Sequence, residues 1–205
     1  MTVPGRSRAL TLDDIEDLRA YERGRAEYRR TIIELKRRRR VAVGPIVSVV
    51  FENRETVRSQ IQEMARAERM VSDEQIQTEL DVYNPLIPEP GELSATMFIE
   101  LTGEHALRRW LPRLVGVERA VVLELPGPVV VRAAPEAAHE EALTRAEVTA
   151  SVHYLRFGLA PELLGPFAAG PVVLAVDHPE YAERAELPDE TRAELLTDLR
   201  PDPAP

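Results

Sequence analysis

Two kinds of apolar spacing divide this chain, and their order excludes most folds. Between residues 11 and 83 the apolar residues recur three and four apart, the period of a helix face, except for one apolar block at 41–51. From residue 93 onward they alternate, or come in short blocks set off by proline and glycine, as strands and turns do. Helix and strand do not alternate regularly, which argues against a doubly wound parallel sheet. The expected class is α+β. It has a largely antiparallel or mixed sheet of about five to six strands, packed by N-terminal helices and a C-terminal helix.

Thr11-Leu12-Asp13-Asp14 has the makings of a capping box, with acids in the first turn, and predicts a helix from residue 11 to about residue 39. Its apolar stripe is Leu18, Tyr21, Tyr28, Ile32 and Leu35, with Arg25 set among them. A charge in such a stripe needs a partner. One reading is a salt bridge to Glu63 or Glu68 of the next long helix; the other is a polar pocket facing a ligand. Residues 41–51 read as a strand broken at Gly44-Pro45. Asn53 caps a helix over about 54–70, Ser72 caps another ending near Tyr83, and prolines stiffen the loop 84–91. A strand at 93–101, a helix at 103–115 and a hairpin around Pro126-Gly127-Pro128 follow. Then come a short helix at 135–145, a strand at 147–157, a brief helix at 161–168, a strand at 172–176 and a last helix from 188. These elements predict one domain over 11–200, helical at 11–83 and sheet-rich at 92–177. A flexible arm at 1–10 and a disordered tail at 201–205 flank it.

Composition narrows the chemistry. The absence of cysteine excludes disulfides, thiolate metal sites and cysteine nucleophiles. No apolar stretch resembles a signal peptide or a membrane span, so a soluble, cytoplasmic protein is expected, without a membrane partner. The net charge of −9 is unevenly spread: residues 1–40 carry +5 and residues 41–205 carry −14. The cations culminate in Lys36-Arg37-Arg38-Arg39-Arg40. There they suit a helix C-terminus, and they also suit an acidic protein partner. Nucleic acid is not expected, because the rest of the chain is acidic and aromatic residues make up 5% of it.

Besides Arg25 and the 36–40 run, two places carry polar residues suited to chemistry. Phe51-Glu52-Asn53-Arg54 lies where a strand meets a helix, and the free N–H groups of a helix start favour an anion. Arg54 opposes the helix dipole there unless it shares an acid or anion. Asn53, Arg54, Tyr83 and Arg156 are the candidate ligand-binding residues, with an internal ion pair as the plainer reading of Arg54. His153, Asp177 and His178 are the catalytic candidates, since imidazole titrates near neutral pH. Together with Glu52 they are also weak candidates for a metal site of two histidines and a carboxylate. The plainer readings are a hydrogen-bonded strand residue for His153 and a turn cap before Pro179 for His178. No glycine-rich phosphate loop or nucleophile elbow is present.

Several blocks in order carry a family resemblance: Leu10-Thr11-Leu12-Asp13-Asp14-Ile15, Tyr21-Glu22-Arg23, Val43-Gly44-Pro45, Phe51-Glu52-Asn53-Arg54 and Gln60-Ile61-Gln62-Glu63-Met64. Tyr83-Asn84, Glu92-Leu93-Ser94-Ala95-Thr96, Val152-His153-Tyr154-Leu155-Arg156-Phe157 and Asp177-His178-Pro179-Glu180-Tyr181 continue it. From about residue 9 to about 182 the chain resembles the bacterial domain of unknown function 3501 family. That resemblance implies a setting near rubrerythrin-like di-iron proteins and iron–sulfur oxidoreductases, and no reaction of its own. The expected function is an accessory or interaction protein of a redox or oxidative-stress system, without a cofactor. The alternative is an enzyme or binder that takes a small anionic ligand or a divalent metal in an Asn/Arg/His/Asp pocket.

Overall fold

A computed structural model describes residues 8–136 and 148–200. The helix expected at 135–145 therefore lies mostly outside the described residues, as do most of the arm and the whole tail. Six helices and two antiparallel sheets make up the rest, an α+β fold as expected.

Helix α1 (Leu18–Arg39) begins later than the capping box at Thr11 suggests. That box closes a single 3-10 turn, Leu12–Asp14, and Asp17 caps α1 instead, accepting from the N–H groups of Arg19 and Ala20. Residues 8–17 form a strap laid across α2 (Arg54–Glu68) and α3 (Asp73–Tyr83). Its Leu10, Leu12 and Ile15 pack on Val57, Ile61, Leu80 and Leu86. Side chains then pin it at four points. Asn84 brackets the backbone of Leu10 (2.8 and 2.9 Å), Arg58 reaches the carbonyl of Asp14 (2.8 Å), Gln62 brackets Glu16 (2.9 Å each), and Arg54 pairs with Asp14 (2.6 Å).

The first sheet runs β1 (Arg40–Val43), β2 (Val47–Glu52), β3 (Glu92–Ile99), β7 (Val152–Gly158) and β6 (Ala134–Pro135). The second runs β5 (Val129–Arg132), β4 (Val121–Leu125), β8 (Val173–His178) and β9 (Tyr181–Glu186). Among the described residues there are nine strands in two sheets, where one sheet of about five to six strands was expected. One core serves both: Val49, Phe51, Ala95, Met97 and Leu155 from the first meet Val121, Leu123, Leu174 and Val176 from the second. Period-two alternation turns the other face of β2 and β3, with Ser48, Glu52, Ser94 and Thr96, away from that core. The sheets also meet at a corner. Gly44 turns the β1–β2 hairpin at φ +70°, and a Cβ there would lie 2.5 Å from the Tyr181 hydroxyl. That hydroxyl donates to the carbonyl of Val43 (2.5 Å) and accepts from Ile46 N–H (3.3 Å).

The remaining helices close the ends. Trp110 of α4 (Glu104–Trp110) packs against the core and meets Tyr181 edge-on. α5 (Leu164–Ala169) buries Phe167. α6 (Asp189–Leu199) buries Leu195 and Leu199 and turns its acids toward α1.

Candidate functional site

Most donors of the helix start at Asn53 are taken up within the chain. Asn53 Oδ1 accepts from the N–H groups of Glu55 (3.1 Å) and Thr56 (2.9 Å), and Thr56 Oγ1 accepts from Asn53 N–H (2.9 Å). Arg54 turns back onto the strap, donating to the carbonyl of Arg8 (3.1 Å) and pairing with Asp14. That hydrogen bond from Arg54 holds the Asp14 carboxyl below its ordinary range. Glu52 is buried on the helix side of the first sheet, with Thr56 (2.5 Å) and Thr96 (2.7 Å) donating to its two oxygens. Arg156 lies on the same face, two strands along the row Glu52–Ser94–Arg156. It pairs with Glu92 (2.6 Å) and donates to the carbonyl of Pro85, just beyond Tyr83, which packs half-buried at the end of α3.

The catalytic candidates lie elsewhere. His153 is paired in register with Met97 and points into the core between the sheets, on the face opposite Glu52. Its Nε2–H reaches the carbonyl of Ala150 (3.0 Å) and lies 2.9 Å from Thr149 Oγ1. A carbonyl oxygen only accepts, so Nε2 carries the proton. Burial pushes this imidazole below its ordinary pKa, against a smaller opposing pull from Glu118. Among the described residues, Oε2 of Glu118 is buried without a hydrogen-bond partner. Asp177 and His178 end β8, in the other sheet. His178 donates from Nε2 to the carbonyl of Val115 (3.1 Å) and accepts at Nδ1 from Glu180 N–H (3.2 Å), so both nitrogens hold the turn. The structure thus groups Glu52, Asn53 and Arg54, sets Arg156 and Tyr83 further along the same side, and leaves His153, Asp177 and His178 apart. Among the described residues, no three histidine or acidic side chains are placed to hold a metal ion.

A cleft of about 880 Å³ opens where the strap, the start of α2 and the end of α6 meet, lined by Arg8, Asp13, Asp14, Arg54, Glu55 and Asp198 among others. Its charges are largely engaged within the chain. Arg54 holds Asp14, Arg8 donates to the carbonyls of Pro88 and Asp198, and Asp198 pairs with Arg39.

The cationic end of α1 is also engaged. Arg39 is fully buried and donates to the carbonyls of Phe51 (2.9 Å) and Glu52 (3.2 Å), while pairing with Glu194 (3.1 Å) and Asp198. Arg37 and Arg38 pair with Glu34, Glu190 and Glu194, and Arg40 pairs with Glu100. Arg25 pairs with Glu63, one of the two acids expected, through Nε (2.9 Å) and Nη2 (2.8 Å), with the Tyr21 hydroxyl donating at 2.6 Å. The outward face of α1 differs. Arg19, Arg23 and Arg30 are exposed and take no ion pair among the described residues, and Ile33 stands beside them. The sequence does hold that signal: these arginines recur at helical spacing on the face opposite Tyr21, Tyr28 and Ile32. The denser run at 36–40 masks it in the sequence.

Among known proteins, the model of a family described as a protein of unknown function (DUF3501) matches residues 9–199. A crystal structure of a novel protein of unknown function from Burkholderia pseudomallei K96243 superposes with a TM-score of 0.85 at 37% identity, covering 93% of this chain and 99% of that one. No curated protein matches. Several blocks of the sequence pattern have structural work in this fold: Gln62 and Asn84 clamp the strap, and Tyr181 locks the turn at Val43-Gly44-Pro45. With the family model covering nearly its full length, the chain belongs to the DUF3501 family.

Proposed function

We propose that this is an accessory, partner-binding protein of the cytoplasm that docks an acidic protein through the outward face of α1. The observation that carries the reading is the row of unpaired cations Arg19, Arg23 and Arg30. The neighbouring arginines Arg25, Arg37, Arg38, Arg39, Arg54, Arg58 and Arg66 all have internal acids. Exposed like charges on one helix face repel one another, and an acidic partner relieves that. The docking face is thus the middle of α1, while the 36–40 end serves the fold. The setting is the redox or oxidative-stress system that the family resemblance implies. Nucleic acid is disfavoured because no aromatic residue stands in the row for bases to stack on.

The alternative, an anionic-ligand or metal-dependent enzyme, needs Asn53, Arg54, Tyr83, Arg156, His153, Asp177 and His178 in one pocket. They lie on two faces of one sheet and at the end of another. The test is purification from the source cells at low ionic strength, wild type beside the triple variant R19E/R23E/R30E. The reading expects an acidic protein in stoichiometric amount with the wild type alone. Equal recovery with both chains would refute it.

A further inference from the structure

The outward face of α1 has a geometry as well as a charge. Arg19, Arg23, Ala26, Arg30, Ile33 and Arg37 follow one another four, three, four, three and four residues apart, and all six are exposed. A row with that spacing is the one along which a second helix packs, ridges into grooves, at a shallow crossing angle. From Arg19 to Ile33 the row runs about 21 Å, at about 1.5 Å per residue. Its middle is shallow, because Ala26 is small. Ile33, 58% exposed, gives it one apolar knob near the far end.

The flanks shape what fits. On the α2 side, Glu22 is drawn to Arg66 and Arg25 to Glu63, which leaves Arg29 as the cation of that edge without an ion pair among the described residues. Toward the C-terminus, Arg37 meets Glu34 and Glu190. The unpaired positive charge therefore runs along this row, with the exposed Arg29 beside it on the α2 side. A flat acidic surface would meet the engaged flanks and the flanking Glu27 as well as the row. A helix laid lengthwise meets the row itself.

We propose that the docking element of the partner is an acidic amphipathic helix, lying along α1 with carboxylates opposite Arg19, Arg23 and Arg30 and an apolar residue opposite Ile33. This rests on the docking reading above. The same chain carries an acidic helix of its own, α3, with Asp73, Glu74 and Asp81 exposed and Val82 42% exposed. A second copy is therefore the rival occupant.

The probe is a synthetic helix-stapled peptide with glutamates and one leucine at the matching four-three spacing. Its control is a stapled peptide of the same composition in scrambled order. Fluorescence anisotropy with the full chain is expected to show the matched peptide binding about tenfold tighter than the scrambled one. R19E/R23E/R30E should abolish this preference and I33D should weaken it, with thermal unfolding of both variants near wild type because the replaced side chains are exposed. Equal binding of the two peptides would overturn the helix and leave an acidic partner standing. No binding of either, with the co-purifying protein still lost on charge reversal, would also overturn the helix alone. A dimer that forms with rising concentration and is lost in R19E/R23E/R30E would replace the outside partner by a second copy.

Discussion

Burial holds the His153 imidazole below its ordinary pKa of 6.5, and the direction fixes how stability follows pH. Well above that value the imidazole is neutral in folded and unfolded chains alike. As the pH falls through it, the unfolded chain takes up a proton that the folded chain resists, so stability declines until the folded group also titrates. His153→Gln keeps a donor for the carbonyl of Ala150 and cannot titrate. The variant should lose less stability than wild type on acidification from about pH 7 to about pH 5, the slopes differing by at most about 1.4 kcal/mol per pH unit. Urea unfolding across that range measures both slopes; parallel lines would contradict this account of His153. At this scale the sequence was partly legible. Alternation sets His153 and Tyr154 on opposite faces of their strand, and Thr149 and Ser151 make the His153 face read as too polar for a plain core, yet it is that face that packs between the sheets. Arg25 was legible as a buried cation needing an acid. Arg39 was not, because its neighbours at 36–40 are also cations, and only the approach of α6 shows which of them the core encloses.

Helices and turns were easier to read than what holds them. The capping box at Thr11 is present as expected, yet it closes a 3-10 turn, because the same local bonds suit either helix type. The apolar contacts of Leu10, Leu12 and Ile15 with α2 and α3 pull that segment off the axis of α1, a tertiary effect that local pattern does not carry. Asn84→Ala leaves the N–H and carbonyl of Leu10 without their partner and should cost about 1–3 kcal/mol, read from chemical denaturation. An unchanged midpoint would mean that the strap is held by its apolar contacts alone. In α1 itself, Gly24 is exposed in mid-helix, and a Cβ there would meet nothing within 4 Å. Gly24→Ala should therefore stabilise the protein by about 0.5–1 kcal/mol, visible as a raised melting temperature. A destabilised variant would show that α1 does not run as described. β9 was missed for a compositional reason. Tyr181-Ala182-Glu183-Arg184-Ala185-Glu186 has no β-branched residue, and its pairing with β8 along six residues, not its propensity, makes it a strand.

For the whole molecule, the class was legible and the division into two sheets was not. Class follows from the order of periodicities. The division depends on β4 leaving the first sheet to pair with β8, a non-local choice. The same holds for the candidate site. Glu52, Arg156 and His153 fall on opposite faces of one sheet by register, and His178 goes to the other sheet, so residues of matching chemistry are kept apart by topology. What remains is the distribution of charge. Internal acids neutralise the arginines packed against α2 and α6, and the outward row of α1 is left uncompensated on an otherwise acidic chain. Arginine-selective footprinting with phenylglyoxal, on the isolated protein and on the protein with its co-purifying partner, tests that claim most directly. Arg19, Arg23 and Arg30 should react freely in isolation and become protected in the complex, while buried Arg39 stays unreactive in both. If the three arginines react equally in the two samples, α1 is not the docking face.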